Sequence, residues 1–283
     1  MHTTLITTEE LAARLGAPDL VVCDVRHDLA QPDSWGEAEY RSAHIPGALF
    51  VHLDRDLSAR KTGTNGRHPL PTPETAAAMF ARLGIDSAKQ VVVYDQGGGM
   101  FAARLWWMLK WLGHDAAALL DGGFAKWVGE SRTTSADVPA RQAALFTIRR
   151  VKPTVNATGV AASLARRSLI LIDARVPERF RGEIEPLDPV AGHIPGARNR
   201  PYGSNLSPDG TFKPPAALRE EFTALLAGTP ASDIVHQCGS GVTACHNLLA
   251  MEVAGMPATR LYPGSWSEWC ADPGRPVARD IAS

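Results

Sequence analysis

The chain repeats one series of motifs in its two halves, and this repeat limits the folds open to it more than any other feature. VVCDV leads to HIPGA in the first half, and LILIDA leads to HIPGA in the second, with Asp24 and Asp173 149 positions apart. Further on, DGGFAKW is matched by PGSWSEW, with Trp127 and Trp269 142 positions apart. Two matched blocks in the same order indicate a tandem duplication and not a short-period solenoid.

Each copy alternates short apolar runs with helical stretches. LVVCDV, LILIDA, VVVYD and DIVHQ have the β-branched composition of strands buried on both faces. TTEELAARL opens with Thr7 and Glu10 at the spacing of a capping box. The alternation predicts an α/β fold of two tandem domains, each a mostly parallel sheet flanked by helices on both faces. We assign residues 1–140 to the first copy, 141–155 to a linker and 156–283 to the second.

Composition excludes several classes of partner and compartment. The 283 residues carry a net charge of -1 with a pI near 6.8, which gives no sign of binding to nucleic acid or to an anionic membrane. The most apolar stretch, FAARLWWMLKWLG, contains Arg104 and Lys110 and is too short to span a bilayer. The N-terminus has no secretory pattern, and four cysteines do not make a disulfide framework. We expect a cytoplasmic protein with reduced thiols.

The stretch HQCGSGVTACHN contains the most reactive candidate, Cys238. It follows the predicted strand DIVHQ and precedes a predicted helix, with glycines at 239 and 241 that let successive N–H groups converge on one point. That point lies at a helix N-terminus, which favours an anion such as a thiolate. The first copy has Gln96 at the equivalent position, so the duplication predicts a single active copy.

Other interpretations of this turn fail on what surrounds it. Gly239, Gly241 and Ala244 match a dinucleotide fingerprint, yet the following TRLYPG lacks the acid that such a site needs. A cysteine phosphatase would close the loop with an arginine, and none is present. No CxxC pair supports zinc, and we expect no metal. A neutral cradle of N–H groups with room for one more atom favours a persulfide on Cys238.

Several conspicuous residues are better explained by structure than by chemistry. Cys23 lies inside a strand pattern, and Cys245 and Cys270 are also expected to be structural. Both copies hold the histidine of HIPGA while one copy holds the thiol, which favours a structural role for His44 and His193. The tryptophans of the apolar helix are expected in a core or inter-domain stripe, and Asp24 and Asp173 are expected to pair with Arg26 and Arg175.

Over nearly its full length, the chain resembles the two-domain rhodanese superfamily of sulfurtransferases. The resemblance is carried by the repeated HIPGA motifs, the paired DGGFAKW and PGSWSEW turns and the loop CGSGVTA. Loops like CGSGVTA are typical of mercaptopyruvate sulfurtransferases, whereas thiosulfate-preferring rhodaneses have basic residues after the cysteine. In this family the second domain is catalytic and the first is its inactive duplicate.

The resemblance assigns roles residue by residue. Cys238 is the sulfur-accepting nucleophile, and Arg179, in DARVPERFRG, binds the negative end of the donor. His68, in GRHPLP, acts with Ser240 in a relay whose acid is Asp54 or Asp56. The backbone that forms the anion cradle belongs to Gly239, Ser240, Gly241, Val242 and Thr243.

The chain departs from the family pattern before its second HIPGA motif. Mercaptopyruvate enzymes usually have a second arginine in a P-E-P-R stretch, where this sequence has EIEPLDP with Leu187. Arg198 and Arg200, in GARNRPY, are the candidates to replace it.

These observations predict a sulfurtransferase that works by a ping-pong mechanism without a metal or organic cofactor. Sulfur passes from a small donor, with mercaptopyruvate favoured, through the Cys238 persulfide to cyanide or a dithiol such as a thioredoxin-like protein. The alternatives are a thiosulfate-preferring rhodanese and a non-catalytic persulfide carrier. Steady-state turnover of small donors distinguishes an enzyme from a carrier.

Overall fold

The computed structural model describes residues 1–166, 168–256 and 259–280. The chain divides into two compact units, and neither is continuous in sequence. Unit 1 comprises Met1–Ala59, Pro71–Lys152 and Leu206–Phe212. Unit 2 comprises Arg60–Leu70, Pro153–Asn205 and Lys213–Ser283.

Unit 1 alternates strands and helices along the chain. Its strands are β1 (Leu5–Ile6), β2 (Leu20–Asp24), β3 (Leu49–Phe50), β4 (Gln90–Tyr94) and β5 (Ala117–Leu120). Its helices are α1 (Thr8–Ala12), α2 (Trp35–Ser42), α3 (Pro73–Arg82), α4 (Ala102–Trp111) and α5 (Gly123–Gly129). The predicted capping box is confirmed at the start of α1, where the Thr7 hydroxyl accepts the Glu10 N–H and the Glu10 carboxylate accepts the Thr7 N–H.

The sheet of unit 1 has the order β1-β5-β4-β2-β3, and its strand pairs are parallel. Every residue of β2 and β4 is buried, as expected for central strands covered on both faces. The predicted tryptophan stripe of α4 is confirmed as buried, with Trp106, Trp107 and Trp111 at most 4% exposed.

Unit 2 repeats the arrangement with a smaller sheet. Its strands are β6 (Ile170–Asp173), β7 (Arg198–Asn199), β8 (Ile234–Gln237) and β9 (Arg260–Leu261). Its helices are α6 (Ala157–Arg166), α7 (Pro177–Arg181), α8 (Pro215–Leu226), α9 (Ala244–Val253) and α10 (Ser265–Trp269), with 3-10 turns at Tyr202–Asn205 and Ala231–Asp233. The strand order is β7-β6-β8-β9, again with parallel pairs.

Both units therefore have the predicted α/β fold, and each buries its own apolar core. In unit 1, Tyr94 and Trp127 pack with the aliphatic side chains of β2 and β5. In unit 2, Trp266 and Trp269 pack with side chains from β6, β8 and α6. Within the described ranges, the structure contains no helix with both the length and the hydropathy needed to cross a bilayer.

Candidate active site

The register of the second sheet brings the chemically interesting loops of unit 2 to one edge. Strands β6 and β8 run parallel with Asp173 opposite Gln237, so both end at the same level. Cys238 follows β8 directly, and the segment Arg175–Arg179 follows β6. Carboxyl ends of parallel strands form the usual site edge of an open α/β sheet.

The Cys238 sulfur is held at the turn between β8 and α9. Its side chain is buried, with 1% exposed, and the Gly241 N–H donates a hydrogen bond to Sγ at 3.1 Å. The Val242 and Thr243 carbonyls accept the N–H groups of Cys245 and His246, which begins the first turn of α9. The sulfur therefore lies beside an amide donor at a helix N-terminus, an environment that favours an anion.

Gly241 is required by the shape of this turn. Its φ of +76° is in the left-handed region, which a residue with a β-carbon rarely adopts. A β-carbon at this position would also stand 2.2 Å from the Pro263 carbonyl oxygen. The close approach of the two backbone segments explains the second glycine of CGSG.

The start of α10 fixes the cysteine loop from the other side. The Ser265 hydroxyl accepts the Cys238 N–H at 3.1 Å, and the Trp266 and Ser267 N–H groups donate to the carbonyls of Cys238 and Gly239 at 3.0 and 2.8 Å. These bonds occupy the Cys238 N–H and the carbonyls of Cys238 and Gly239, and so fix the start of the cysteine loop against α10.

His68 and Ser240 meet, as the resemblance predicts. His68 Nδ1 lies 2.7 Å from the Ser240 hydroxyl oxygen, and both side chains are buried. Of the two acids considered for the relay, Asp56 is engaged within unit 1, where it accepts the His52 N–H at 2.8 Å and lies 3.6 Å from Arg82.

Arg179 lies at the same edge, held by two buried carboxylates. Its Nε and Nη2 donate to Glu185 at 2.6–3.2 Å, and Nη2 also lies 3.1 Å from Asp188. A β-carbon built on Gly239 would be 3.5 Å from Arg179 Nη1. The acids therefore orient the guanidinium so that one edge faces the residue after Cys238.

The predicted pairs of aspartate and arginine at the strand ends are confirmed in both units. Arg175 binds Asp173 at 2.7 Å, and Arg26 binds Asp24 at 2.8 Å, with all four side chains buried. Burial lowers the pKa of the Arg175 guanidinium, but Asp173, Glu185 and the Cys238 sulfur raise it above its ordinary value overall. Arg175 is therefore a fixed positive charge near the thiol.

Sequence reasoning missed Arg67. It lies near the cysteine loop because the segment Arg60–Leu70 folds as part of unit 2. Its Nη1 forms a short ion pair with Asp188, and its N–H donates to the Ser267 hydroxyl at 2.9 Å. The signal in the sequence was its position next to His68. The loop CGSGVTA is uncharged, as predicted, but the fold adds positive charge beside it.

Arg198 and Arg200, the two candidates for the second arginine, both bind other groups of unit 2 in this structure. Arg198 Nη1 donates to the Leu225 carbonyl, and Arg200 binds Asn205 at 3.0 Å and Glu221 at 2.8 Å. Both guanidinium groups are thus engaged by neighbours within unit 2.

The equivalent loop of unit 1 contains an anion of its own. The Asp95 carboxylate accepts N–H groups from Gly97 and Gly99 at 3.0 Å through Oδ1, and from Phe101 and Ala102 at 2.8 and 3.1 Å through Oδ2. Unit 2 has the neutral Gln237 at the matching position. The duplicate therefore lacks the thiol and also uses its loop amides internally, a feature that sequence reasoning missed.

We expect Asp95→Asn to lower the free energy of unfolding by about 2–4 kcal/mol, because an amide offers one acceptor oxygen where the carboxylate offers two. Urea denaturation measures the difference. Asp86→Asn is the control, since the partly exposed Asp86 carboxylate accepts the Ala88 N–H in a hydrogen bond at the surface. Equal stability of the two variants would contradict the role given to Asp95.

The remaining thiols and the HIPGA histidines lie in structural positions. Cys23, Cys245 and Cys270 are buried, and burial raises the pKa of Cys23 to about 12 and that of Cys270 to about 11. His44 Nδ1 bonds the Tyr40 carbonyl at 2.7 Å, and His193 Nδ1 bonds the Phe180 carbonyl at 2.8 Å. These contacts support the structural interpretation of all five side chains.

One group of potential metal ligands occurs in the described part of unit 1. Ligand atoms of Asp33, His52 and Asp54 lie within 4.8 Å of one another. His52 Nδ1 accepts the N–H groups of Asp54 and Arg55, and Nε2 bonds the Asp33 carbonyl at 3.0 Å. Its ring nitrogens are thus committed to hydrogen bonds within the protein.

Comparison with known families agrees with the repeat seen in the sequence. A model of the rhodanese-like domain matches residues 7–130 and again residues 156–272. The chain belongs to the rhodanese family. The two matches coincide with the two halves of the duplication.

Known rhodanese-family proteins resemble the chain over almost its whole length. A probable 3-mercaptopyruvate sulfurtransferase of Pseudomonas aeruginosa is 50% identical, with 97% of each chain covered. A putative thiosulfate sulfurtransferase of Mycobacterium tuberculosis is 41% identical, with 98% of each covered. A solved 3-mercaptopyruvate sulfurtransferase from Leishmania major superimposes with a TM-score of 0.83 at 28% identity, covering 94% of this chain and 74% of that one. The protein is accordingly an enzyme, a sulfurtransferase.

Proposed function

We propose that the protein transfers sulfur from 3-mercaptopyruvate to a thiol acceptor through a persulfide on Cys238. In this proposal residues 156–283 are the catalytic copy, 1–140 the inactive duplicate and 141–155 the linker. The observation that carries it is the Cys238 sulfur beside the Gly241 N–H, 3.1 Å away at the N-terminus of α9. The Pseudomonas relative, named for mercaptopyruvate, supports the choice of donor.

The first half of the reaction loads the cysteine. The Cys238 thiolate attacks the sulfur of mercaptopyruvate and forms an S–S bond. The C–S bond of the donor breaks, and its electron pair remains on carbon as the enolate of pyruvate. Covalent storage of the sulfur divides one transfer into two easier steps.

The enolate must take up a proton to leave as pyruvate, and Ser240 with His68 is suited to supply it. The 2.7 Å distance between His68 Nδ1 and the Ser240 hydroxyl supports proton transfer between the two groups. Ser240 is two residues after the nucleophile, so its hydroxyl belongs to the same loop as Cys238. We assign the pair the role of general acid.

The loop and Arg179 hold the donor. The backbone of Gly239, Gly241, Val242 and Thr243 is proposed to surround the sulfur and the donor's oxygen atoms with N–H groups. Arg179, whose Nη1 faces Gly239, is proposed to bind the donor carboxylate. Binding at two points keeps the transferable sulfur in line with Sγ.

The second half of the reaction empties the cysteine. An acceptor thiolate attacks the outer sulfur of the persulfide, the S–S bond breaks, and its electron pair returns to Cys238 as the thiolate. Cyanide or a dithiol, such as a thioredoxin-like protein, is a suitable acceptor. The cytoplasm is the compartment that we propose, since it supplies reduced dithiols.

The donor can be tested directly. We expect a higher kcat/KM for mercaptopyruvate than for thiosulfate, with activity on both, because the loop residues themselves are uncharged. Release of pyruvate and of sulfite, each with a dithiol or cyanide acceptor, measures the two reactions. A higher kcat/KM for thiosulfate would contradict the proposal.

Thiosulfate sulfurtransferase is the second candidate. It is favoured by the Mycobacterium relative and by the guanidinium groups of Arg67 and Arg179 near Gly239. Positive charge beside the cysteine suits a dianionic donor that leaves sulfite. If neither donor supports steady turnover while Cys238 still accepts sulfur, the protein is a persulfide carrier instead.

A further inference from the structure

We propose that Arg67 is the second cationic group of the donor site and sets its preference among anionic donors. This inference rests on the proposed function of the same site. Arg67 lies on the segment Arg60–Leu70, which belongs to the compact unit that contains Cys238. The Arg67 guanidinium lies near Gly239 and is held by Asp188, while Arg198 and Arg200 bind other groups of unit 2.

The Arg67 guanidinium lies over the residue that follows the nucleophile. A β-carbon built on Gly239 would be 2.9 Å from Arg67 Nη2, and 3.5 and 3.6 Å from Nη1 and Nη2 of Arg179. Two guanidinium groups therefore approach the same point beside Cys238. Glycine at 239 leaves that point free of a side chain.

Asp188 holds both arginines in this arrangement. One of its carboxylate oxygens pairs with Arg67 Nη1, and the other lies 3.1 Å from Arg179 Nη2. The Asp188 side chain is 4% exposed, so the bridge is shielded from solvent. Because Asp188 occupies Nη1 of Arg67, the neighbouring Nη2 is the nitrogen that faces Gly239.

Arg67 is not fully satisfied by these contacts. Its Nε is buried and has no hydrogen-bond partner among the described residues. A guanidinium offers five N–H donors in a fixed plane and binds carboxylate or sulfonate oxygens in pairs. The group therefore has capacity for an anionic ligand beyond its bond to Asp188.

Arg67 occupies the role left open by Leu187. The chain has leucine where a second arginine was expected, and Arg198 and Arg200 are bound elsewhere in unit 2. Arg67 comes from a distant part of the sequence and reaches the cysteine loop at Gly239. The second positive charge is thus supplied by a different segment of the chain.

The position of this charge makes a prediction about donors. The group that leaves after thiosulfate cleavage is sulfite, which carries its charge next to the transferred sulfur. In mercaptopyruvate the carboxylate is separated from the sulfur by two carbon atoms. We therefore expect removal of Arg67 to weaken both donors, and thiosulfate more.

The test compares Arg67→Met with Arg67→Lys and with the control Arg60→Met, which removes the same charge from an exposed position on the same segment. For Arg67→Met we expect kcat/KM for mercaptopyruvate to fall about 10-fold, mainly through KM, and to fall further for thiosulfate. Arg67→Lys should recover part of the loss, because it keeps the charge without the planar fork. Arg60→Met should have the same kcat/KM for both donors as the unchanged protein.

A second measurement does not depend on turnover. Iodoacetate and iodoacetamide alkylate the same sulfur, but iodoacetate alone carries a carboxylate. The rate of Cys238 alkylation by iodoacetate, divided by the rate with iodoacetamide, should fall several-fold in Arg67→Met and stay unchanged in Arg60→Met. A merely structural role for Arg67 would alter both rates together and leave the ratio unchanged.

The outcomes separate this inference from the proposed function. If the unchanged protein turns over mercaptopyruvate while Arg67→Met keeps its KM, its donor ratio and its alkylation ratio, Arg67 is not part of the donor site. If the protein turns over neither donor but the alkylation ratio falls in Arg67→Met, the proposed function is wrong and the anion site stands. In either case, an alkylation ratio that is the same in Arg67→Met as in the unchanged protein overturns the inference.

Discussion

Cys238→Ser is expected to have no measurable sulfur transfer with any donor. A serine hydroxyl is not ionised near neutral pH and cannot form a persulfide, so the loop and its Gly241 N–H have no anion to stabilise. Assays of pyruvate and sulfite release test this loss. Mass spectrometry after incubation with donor should find one added sulfur atom on Cys238 of the unchanged protein and none on the variant.

The other thiols serve as controls for this experiment. Cys23→Ser and Cys270→Ser are expected to retain transfer, because both thiols are buried at positions where burial raises the thiol pKa. Cys245→Ser is the most stringent control, since Cys245 Sγ donates to the Gly241 carbonyl at 3.4 Å and a hydroxyl can do the same. Finding the added sulfur mainly on Cys245 would disprove the assignment of the nucleophile.

Arg179→Ala is expected to lower kcat/KM for mercaptopyruvate roughly 10- to 150-fold, since a charge-assisted hydrogen bond contributes about 1.5–3 kcal/mol. Arg179 is 13% exposed, and its removal also leaves Glu185 and Asp188 with one partner fewer. Arg179→Lys should lose less, because it keeps a positive charge beside both acids. Steady-state kinetics with each donor give the values.

Arg181→Ala is the matched control for that prediction. Arg181 lies two residues further along α7, is exposed and pairs with Glu183 at 2.6 Å. Its removal is expected to leave kcat/KM unchanged, because an exposed ion pair contributes little. Equal kinetics for the two alanine variants would mean that Arg179 does not bind the donor.

Local patterns in the sequence were sufficient to predict the architecture. The β-branched runs correspond to β2, β4, β6 and β8, because central parallel strands must be apolar on both faces. The turn after β8 was also predictable, since Gly239 and Gly241 directly follow a strand pattern, and Gly241 has the positive φ of such a turn. Both features depend on residues close together in the sequence.

The charges around the thiol could not be predicted in the same way. Arg67 reaches Gly239, 172 positions later, and the Asp188 that orients it stands in a loop without a regular pattern. Asp95 could have been recognised, because an acid precedes a glycine run in the copy without the thiol. The four hydrogen bonds that the Asp95 carboxylate accepts could not be predicted from the sequence, because they depend on the direction of each loop amide in the fold.

The interleaved course of the chain has an evolutionary consequence. The residues between Arg60 and Leu70 are encoded within the first copy but fold as part of unit 2, and Leu206–Phe212 does the reverse. A gene cut between the repeats would therefore yield a second half without Arg67 and His68. In the proposed site, selection on a single active centre therefore acts on residues from both repeats, including the copy that has no thiol.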